Sequence, residues 1–158
     1  MKATMVTLLT MLIITVGVMQ TRLIIPIELQ TQMSQTELKM EKMGYPKILA
    51  GPIDLASQQT ELSPEFIIAL MHSESGFDER AVSSKGYKGL MQIPFAVYYQ
   101  DANILIGARI FKEKMDLAKG NVVMAIILYK GYANDIVRGR MQAEKVLRLY
   151  RKLKEMEV

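Results

Sequence analysis

Residues 66–94, on which the interpretation of the whole chain depends, have the sequence FIIALMHSESGFDERAVSSKGYKGLMQIP. The first half places apolar residues at helical spacing, and four residues beyond Leu70 the same stripe arrives at Glu74. Ser75 and Gly76 follow at once, and glycine is the usual residue just past a helix end. The pattern therefore predicts a helix whose last turn directs a carboxylate toward apolar neighbours.

This position is expected to raise the pKa of the Glu74 carboxyl group. Apolar surroundings disfavour the charged form, and so does the negative end of the helix dipole. A carboxylic acid that stays protonated near neutral pH is suited to general acid catalysis. The alternative interpretation is structural, with Glu74 capping the helix end or pairing with Arg80, Lys85 or Lys130.

An ordered set of residues in this run follows the pattern Glu-Ser-x-aromatic, Ala-x-Ser and Gly-x-x-Gly-Leu-Met-Gln-Ile. These residues are Glu74, Ser75, Phe77, Ala81, Ser83, Gly86, Gly89, Leu90, Met91, Gln92 and Ile93. The set resembles the signature of the lytic transglycosylases with the SLT domain, which are relatives of goose-type lysozyme. A looser resemblance extends from about Ile53 to the C-terminus. It implies a small, helical lysozyme-like domain, all-α or at most α+β, behind an N-terminal hydrophobic segment.

The resemblance implies single-acid chemistry on peptidoglycan, whereas most glycosidases use two carboxylates. One acid, here Glu74, protonates the glycosidic oxygen between N-acetylmuramic acid and N-acetylglucosamine. It then accepts the proton of the muramyl 6-hydroxyl, which closes a 1,6-anhydro ring with help from the substrate's N-acetyl group. Glu74→Gln is expected to abolish cleavage, because the amide cannot give up or take a proton. It should not destabilise the domain, since a buried unpaired carboxylate is costly.

Three further positions acquire roles from the resemblance. Ser83 and Gln92 match residues that line the groove and hydrogen-bond substrate, although turn chemistry also explains both. Tyr129 matches the tyrosine that hydrogen-bonds near the catalytic acid. The chain departs from the family pattern at Lys130, where asparagine is usual, and at Pro94, where methionine is common. Lys130 is expected to hold Glu74 more ionised than in relatives.

Two other functions remain open from the sequence. The same fold would be hydrolytic, as in a goose-type lysozyme, if Asp78 or another acid positioned a water molecule. Alternatively, the chain would be a non-catalytic glycan-binding or assembly-platform protein. The presence of Glu74 together with Ser83, Gln92 and Tyr129 argues against that last alternative.

Composition restricts the kinds of site that the chain can form. It has 158 residues and a net charge of +4, without cysteine and with one histidine, His72. Disulfide and thiolate chemistry are therefore excluded, and we expect no metal or other cofactor because no Cys/His cluster exists. The mild positive charge suits an anionic polymer such as peptidoglycan, or a membrane surface, and does not require nucleic acid.

The chain is expected to divide into three regions. Residues 1–27 are hydrophobic around their centre and predict a signal peptide or a membrane anchor. Either would place the protein in the cell envelope, in the periplasm, with the inner membrane and envelope-spanning machinery as candidate partners. Residues 28–46 predict a linker or accessory helix, and residues 47–158 predict the catalytic domain.

Local signals in the last two regions predict mainly helices. The expected helices span residues 33–43, 53–59, 64–75, 101–115, 122–130 and 143–154. Residues 122–130 are apolar all round, which predicts the buried central helix. Residues 80–92 are expected to form at most a tiny hairpin. The basic outer face of residues 143–154 is either solvated or in contact with anionic glycan or lipid.

Overall fold

The computed structural model describes residues 33–97 and 99–157. The predicted signal or anchor at residues 1–27, and the beginning of the expected linker, lie outside the described residues. The remainder forms one compact unit that begins at Ser34. Its described helices, named in chain order, are α1 (Gln35–Lys42), α2 (Ala50–Thr60), α3 (Pro64–Ser75), α4 (Gln100–Leu117), α5 (Val122–Tyr129) and α6 (Ile136–Lys154).

The described β structure consists of two isolated antiparallel bridges, Val82 with Lys88 and Lys88 with Ile93. They form a small hairpin, which we define as residues 81–93. The prediction of a helical fold with at most a tiny hairpin is therefore confirmed. None of the described helices combines the length and the apolar character needed to cross a membrane.

Helix α3 begins and ends as its sequence predicts. The Ser63 hydroxyl accepts a hydrogen bond from the Phe66 N–H at 3.4 Å, and Pro64 occupies the first turn. Gly76 ends the helix at φ +61°, a left-handed conformation that glycine adopts without strain, and its N–H donates to the His72 carbonyl. Local capping thus fixes where the helix stops and leaves Glu74 in its final turn.

The most buried stretch lies in α3 and not, as expected, in residues 122–130. Six consecutive residues, Phe66–Met71, are buried in α3, whereas α5 buries Ala125–Ile127 alone. Helix α3 packs between α2 and α6, and the Phe66 ring contacts those of Phe111 and Tyr150. The apolar composition of α5 predicted that it is buried. Helix α3 is more buried because other helices pack on two of its sides.

Helix α1 belongs to the same core as the helices that follow it. Met40 is fully buried among core residues, and Lys39 Nζ lies 2.7 Å from Glu65 Oε1 on α3. The compact unit therefore starts before residue 47, where the sequence placed the domain boundary. The predicted short helix over residues 33–43 corresponds to α1.

Helix α6 begins seven residues earlier than expected. The Asp135 carboxylate caps it by accepting a hydrogen bond from the Arg138 N–H at 3.0 Å. Gly139 then lies so close to Ile127 and Tyr132 that a Cβ atom would crowd both side chains. Gly139 therefore allows α5 and α6 to approach closely.

Candidate active site

Glu74 occupies the last turn of α3, and its side chain is 11% exposed. Its burial agrees with the apolar stripe that leads to it. Burial raises the pKa of the Glu74 carboxyl group above its ordinary value, because the charged form loses hydration.

Lys130, the residue after α5, is the partner of this acid. Lys130 Nζ lies 2.7 Å from Glu74 Oε1, and its side chain is 8% exposed. The same ammonium donates to the Ser73 hydroxyl at 3.1 Å and to the Ser73 carbonyl at 3.2 Å. A lysine ammonium has three N–H donors, so all three are engaged here. Of the three partners that the structural interpretation named, Glu74 pairs with Lys130 and not with Arg80 or Lys85.

Two opposing influences act on the pKa of Glu74. Desolvation by burial raises this pKa, while the charge and hydrogen bond of Lys130 lower it, and the net direction is upward. An ion pair that is nine-tenths buried contributes little net stability, since both groups lose their hydration. A perturbed carboxyl group in such an arrangement is typical of functional sites.

Tyr129, the last residue of α5, forms a hydrogen bond with the hairpin. Its hydroxyl donates to the Met91 carbonyl oxygen at 2.7 Å. Burial, followed by the negative charge of Glu74, raises the pKa of Tyr129 well above its ordinary value. The phenol therefore stays neutral, and the influence of Glu74 on it places the two side chains in one electrostatic environment.

The hairpin is held against the helices by hydrogen bonds around Leu90 and Met91. The Ser75 hydroxyl, next to Glu74, donates to the Leu90 carbonyl at 2.9 Å. The Met91 N–H donates to Asn103 Oδ1 at 2.8 Å, and Asn103 Nδ2 donates to the Lys88 carbonyl at 3.1 Å. These bonds leave the carbonyl of Met91 directed at Tyr129.

Two glycines in the family-like segments make this contact possible. A Cβ at Gly89 would overlap Asn103 Nδ2, and the φ of Gly89 is +79°. A Cβ at Gly107 would overlap the side chain of Met91, which is fully buried. Gly89 and Gly107 therefore allow the hairpin to lie closely against Asn103 and α4.

Gln92 and Ser83 brace the hairpin from within. Gln92 Nε2 donates to the carbonyls of Ala81 and Gly89, at 3.0 and 2.9 Å. The Ser83 hydroxyl accepts a hydrogen bond from the Tyr87 N–H at 3.0 Å. In residues 33–97 and 99–157, neither side chain hydrogen-bonds to Glu74, Tyr129 or Lys130. Their contact with substrate stays a prediction, and their observed role is turn chemistry.

Ser73 is a site residue that sequence reasoning missed. It stands next to Glu74 but off the apolar stripe, and it provides two of the three acceptors of Lys130. No spacing rule links it to Lys130, because 57 residues separate the two. Its role arises only when α5 ends against the last turn of α3.

The remaining candidates from the sequence lie at the surface. His72 is exposed and its ring contacts those of Tyr45 and Phe77. Asp78 is also exposed, and its carboxylate accepts the Arg80 N–H at 2.8 Å within a turn. Within the described ranges, no cluster of three or more histidine, cysteine or acidic side chains has the arrangement of a metal site.

A cavity of about 360 Å³ lies beside the hairpin, between it and the start of α4. Ala81 and Gly89 line it, and their carbonyls are those that accept hydrogen bonds from Gln92. Glu74 does not line this cavity. Gln92 therefore holds two lining residues of this cavity, Ala81 and Gly89, in place by hydrogen bonds to their carbonyls.

Comparison with known protein families shows that the Transglycosylase SLT domain family matches residues 51–146. The matched span contains Glu74, the hairpin, Tyr129 and Lys130, and it covers more than half of the chain. No curated protein matches the chain.

Proposed function

We propose, on the basis that the chain belongs to the Transglycosylase SLT domain family, that it is a lytic transglycosylase using Glu74 as its single acid and base. Membership gives the chain a lysozyme-like, glycan-cleaving function on peptidoglycan. The proposal adds the bond and the product. The bond is the β-1,4 linkage from N-acetylmuramic acid to N-acetylglucosamine, and the product is a 1,6-anhydromuramyl end.

The observation that carries the proposal is the environment of Glu74. This acid is almost buried, its pKa is raised, and it shares its environment with Tyr129 and Lys130. The nearest acid in sequence, Asp78, is exposed and committed to a turn. A perturbed Glu74 whose nearest acid in the sequence is exposed favours the single-acid route over the hydrolytic route, which requires a positioned water.

The first step is protonation of the leaving group. Protonated Glu74 gives its proton to the glycosidic oxygen, and the bond from that oxygen to muramyl C1 breaks. Before this step the Glu74 carboxyl must hold a proton, which the Lys130 charge opposes. A bound sugar removes the remaining water around the pair, and desolvation favours neutral over charged groups.

The second step restores the enzyme. The muramyl 6-oxygen bonds to C1, and its proton passes to the Glu74 carboxylate. Lys130 stabilises that carboxylate between the two steps, because its ammonium is already within 2.7 Å. The proton that Glu74 donates leaves with the N-acetylglucosamine hydroxyl, and the proton of the muramyl 6-hydroxyl replaces it on Glu74, so no water is consumed.

Product analysis tests this proposal directly. Purified sacculi are digested with the full-length protein, and the released muropeptides are examined by mass spectrometry. An anhydro product is lighter by one water than the hydrolytic product and has no reducing end. Muropeptides with reducing muramic acid ends would assign the hydrolytic reaction and overturn the proposed product.

The place of action is also part of the proposal. The SLT domain family acts on peptidoglycan in the cell envelope, and the hydrophobic composition of residues 1–27 supports export or anchoring there. Fractionation of cells that produce the full chain, compared with a chain lacking residues 1–27, tests this. Full-length protein confined to the cytosolic fraction would contradict the assignment.

A further inference from the structure

A second cavity, of about 470 Å³, opens between α3 and α6. Ala69 and Leu149 contribute apolar surface to its wall. Three basic residues of α6, Lys145, Arg148 and Lys152, line the same cavity. We refer to this space as the basic pocket.

The cations of the basic pocket share one helix face and lack counter-charges. Lys145, Arg148 and Lys152 are spaced by three and four residues, which aligns them along α6. In the described part of the chain none of them forms an ion pair, whereas Arg151 on the same helix pairs with Glu144. Among residues 33–97 and 99–157, no acidic residue lines the pocket. A concave surface lined by one sign of charge concentrates ligands of the opposite sign.

One residue, Ser73, joins the basic pocket to the proposed catalytic acid. Ser73 lines the pocket, and its hydroxyl accepts a hydrogen bond from Lys130 Nζ at 3.1 Å. The same Nζ lies 2.7 Å from Glu74 Oε1. Ser73 is therefore the residue by which the pocket adjoins the pair of Lys130 and Glu74.

The chemistry of the substrate supplies a negatively charged substituent. Each muramyl residue of peptidoglycan carries a peptide stem with several carboxylates, next to the bond that the proposed reaction breaks. We infer that the basic pocket between α3 and α6 binds the carboxylates of a peptide stem, so that the enzyme prefers peptide-bearing glycan over bare glycan. This inference rests on the proposed function, since it assumes that the glycan lies at Glu74.

The concavity of the pocket decides between this ligand and a membrane surface. Lipid headgroups form a broad, nearly flat layer, which a convex basic helix face matches best. Here the three cations lie along one wall of an indentation that Ala69, Leu149 and Ser73 also line. A short branched ligand with a few carboxylates fits that shape.

The experiment compares two charge-matched double variants of the full-length protein. The pocket variant is Lys145→Gln/Arg148→Gln. The control variant, Arg140→Gln/Lys154→Gln, removes one lysine and one arginine from exposed positions of the same helix outside the pocket. Melting temperatures establish that both are folded.

Binding is measured by fluorescence anisotropy at low temperature with labelled glycan strands of equal length. The strands carry intact stems, stems with amidated carboxylates, or no stems, and their length is checked afterwards. We expect the pocket variant to bind strands with intact stems about five- to tenfold more weakly than wild type. The loss should disappear with amidated or absent stems and shrink at high salt, because salt screens exposed charges.

Three results would overturn the inference. One is an equal loss on bare and peptide-bearing strands, which would indicate general attraction to the polymer. Another is an equal loss in the control variant. The third is weaker binding of the pocket variant to phosphatidylglycerol vesicles, relative to phosphatidylcholine vesicles, with strand binding unchanged, which would assign the pocket to lipid. Failure of the proposed reaction is read separately, as the absence of anhydro products from the wild type.

Discussion

The two ends of the family motif are built by opposite means. At Glu74 the buried groups are charged, and an ammonium is held by one carboxylate and by both oxygens of Ser73. At Met91 the buried groups are neutral, and its N–H and C=O each have one partner, Asn103 and Tyr129. Neutral hydrogen bonds in a packed core stabilise the fold, whereas a buried ion pair adds little net stability because both groups lose their hydration. The contrast supports the proposed catalytic role of the first end, with the second end holding it in place.

Replacement of the acid should have the largest effect. Glu74→Gln cannot give or take a proton, so we expect glycan cleavage to fall by about 100- to 10,000-fold. The domain should also lose about 1–3 kcal/mol of stability, because Lys130 keeps its buried charge but loses its counter-charge. This reverses the expectation for an unpaired carboxylate. Muropeptide release and thermal melting are measured on the same preparation.

Glu113→Gln is the control for this substitution, because Glu113 is an exposed glutamate on α4. It should change neither quantity. Cleavage retained by Glu74→Gln would remove the proposed mechanism, and an increased melting temperature would show that the pair with Lys130 is not maintained in solution.

The packing at the neutral end is disrupted most directly by a larger residue at Gly107. Gly107→Ala places a Cβ where the Met91 side chain lies, and we expect a loss of about 1–3 kcal/mol in the free energy of unfolding. Gly51→Ala is the matched control, since it lies in α2 with open space around its Cα. There alanine should stabilise the helix by up to about 1 kcal/mol. Urea denaturation of both variants measures the difference, and equal effects would contradict the tight contact.

The role of the ion pair at the charged end is tested by Lys130→Asn, which introduces the residue that is usual in the family. Lys130 lowers the pKa of Glu74 against the larger effect of burial, so its removal should raise that pKa further. If protonated Glu74 is the active form, activity falls as pH rises through this pKa. The descending limb of kcat/KM against pH should therefore move to higher pH, while the exposed control Lys119→Asn should leave it in place.

Stability should follow the same sign. The pKa of Glu74 in the folded state lies above its ordinary value, so its contribution to stability is complete below the unfolded pKa. That contribution is lost as pH rises through the folded pKa. Without Lys130 the loss between acid and neutral pH becomes larger. A melting temperature that changes with pH as in wild type would show that Lys130 does not act on Glu74.

The sequence predicted those features of the fold that depend on neighbours along the chain. Ser63, Pro64 and Gly76 set the ends of α3 by local capping, and the stripe to Glu74 follows from helix periodicity. The start of α6 was predicted seven residues too late, because the amphipathic pattern was recognised only from residue 143, and Gly139 lies in the part that was missed. Gly139 is needed because it lies against Ile127 and Tyr132, and rules based on neighbouring residues in the sequence do not predict this contact.

The sequence predicted the raised pKa of Glu74 and an influence of Lys130 on it, whereas the catalytic role of Glu74 stays a prediction. Glu74 and Tyr129 follow from the motif, and Lys130 was recognised as a departure from it. That Lys130 pairs with Glu74, and that Ser73 completes its hydrogen bonds, depends on where α5 ends against α3. Ser83 and Gln92 resemble groove residues in sequence, yet their described hydrogen bonds hold the hairpin.

Tyr129→Phe tests the residue that belongs to both ends, and it should give the smallest effect. Its hydroxyl donates to Met91, and its pKa responds to the charge of Glu74. Removal of the hydroxyl leaves the buried Met91 carbonyl without this donor, so we expect a loss of about 1 kcal/mol in stability and a fall of about tenfold in kcat. Tyr150→Phe, on the edge of the Phe66 ring, is the control and should change neither. Stability lost at unchanged kcat would assign Tyr129 to the neutral scaffold alone, whereas kcat lost at unchanged stability would assign it to the charged site alone.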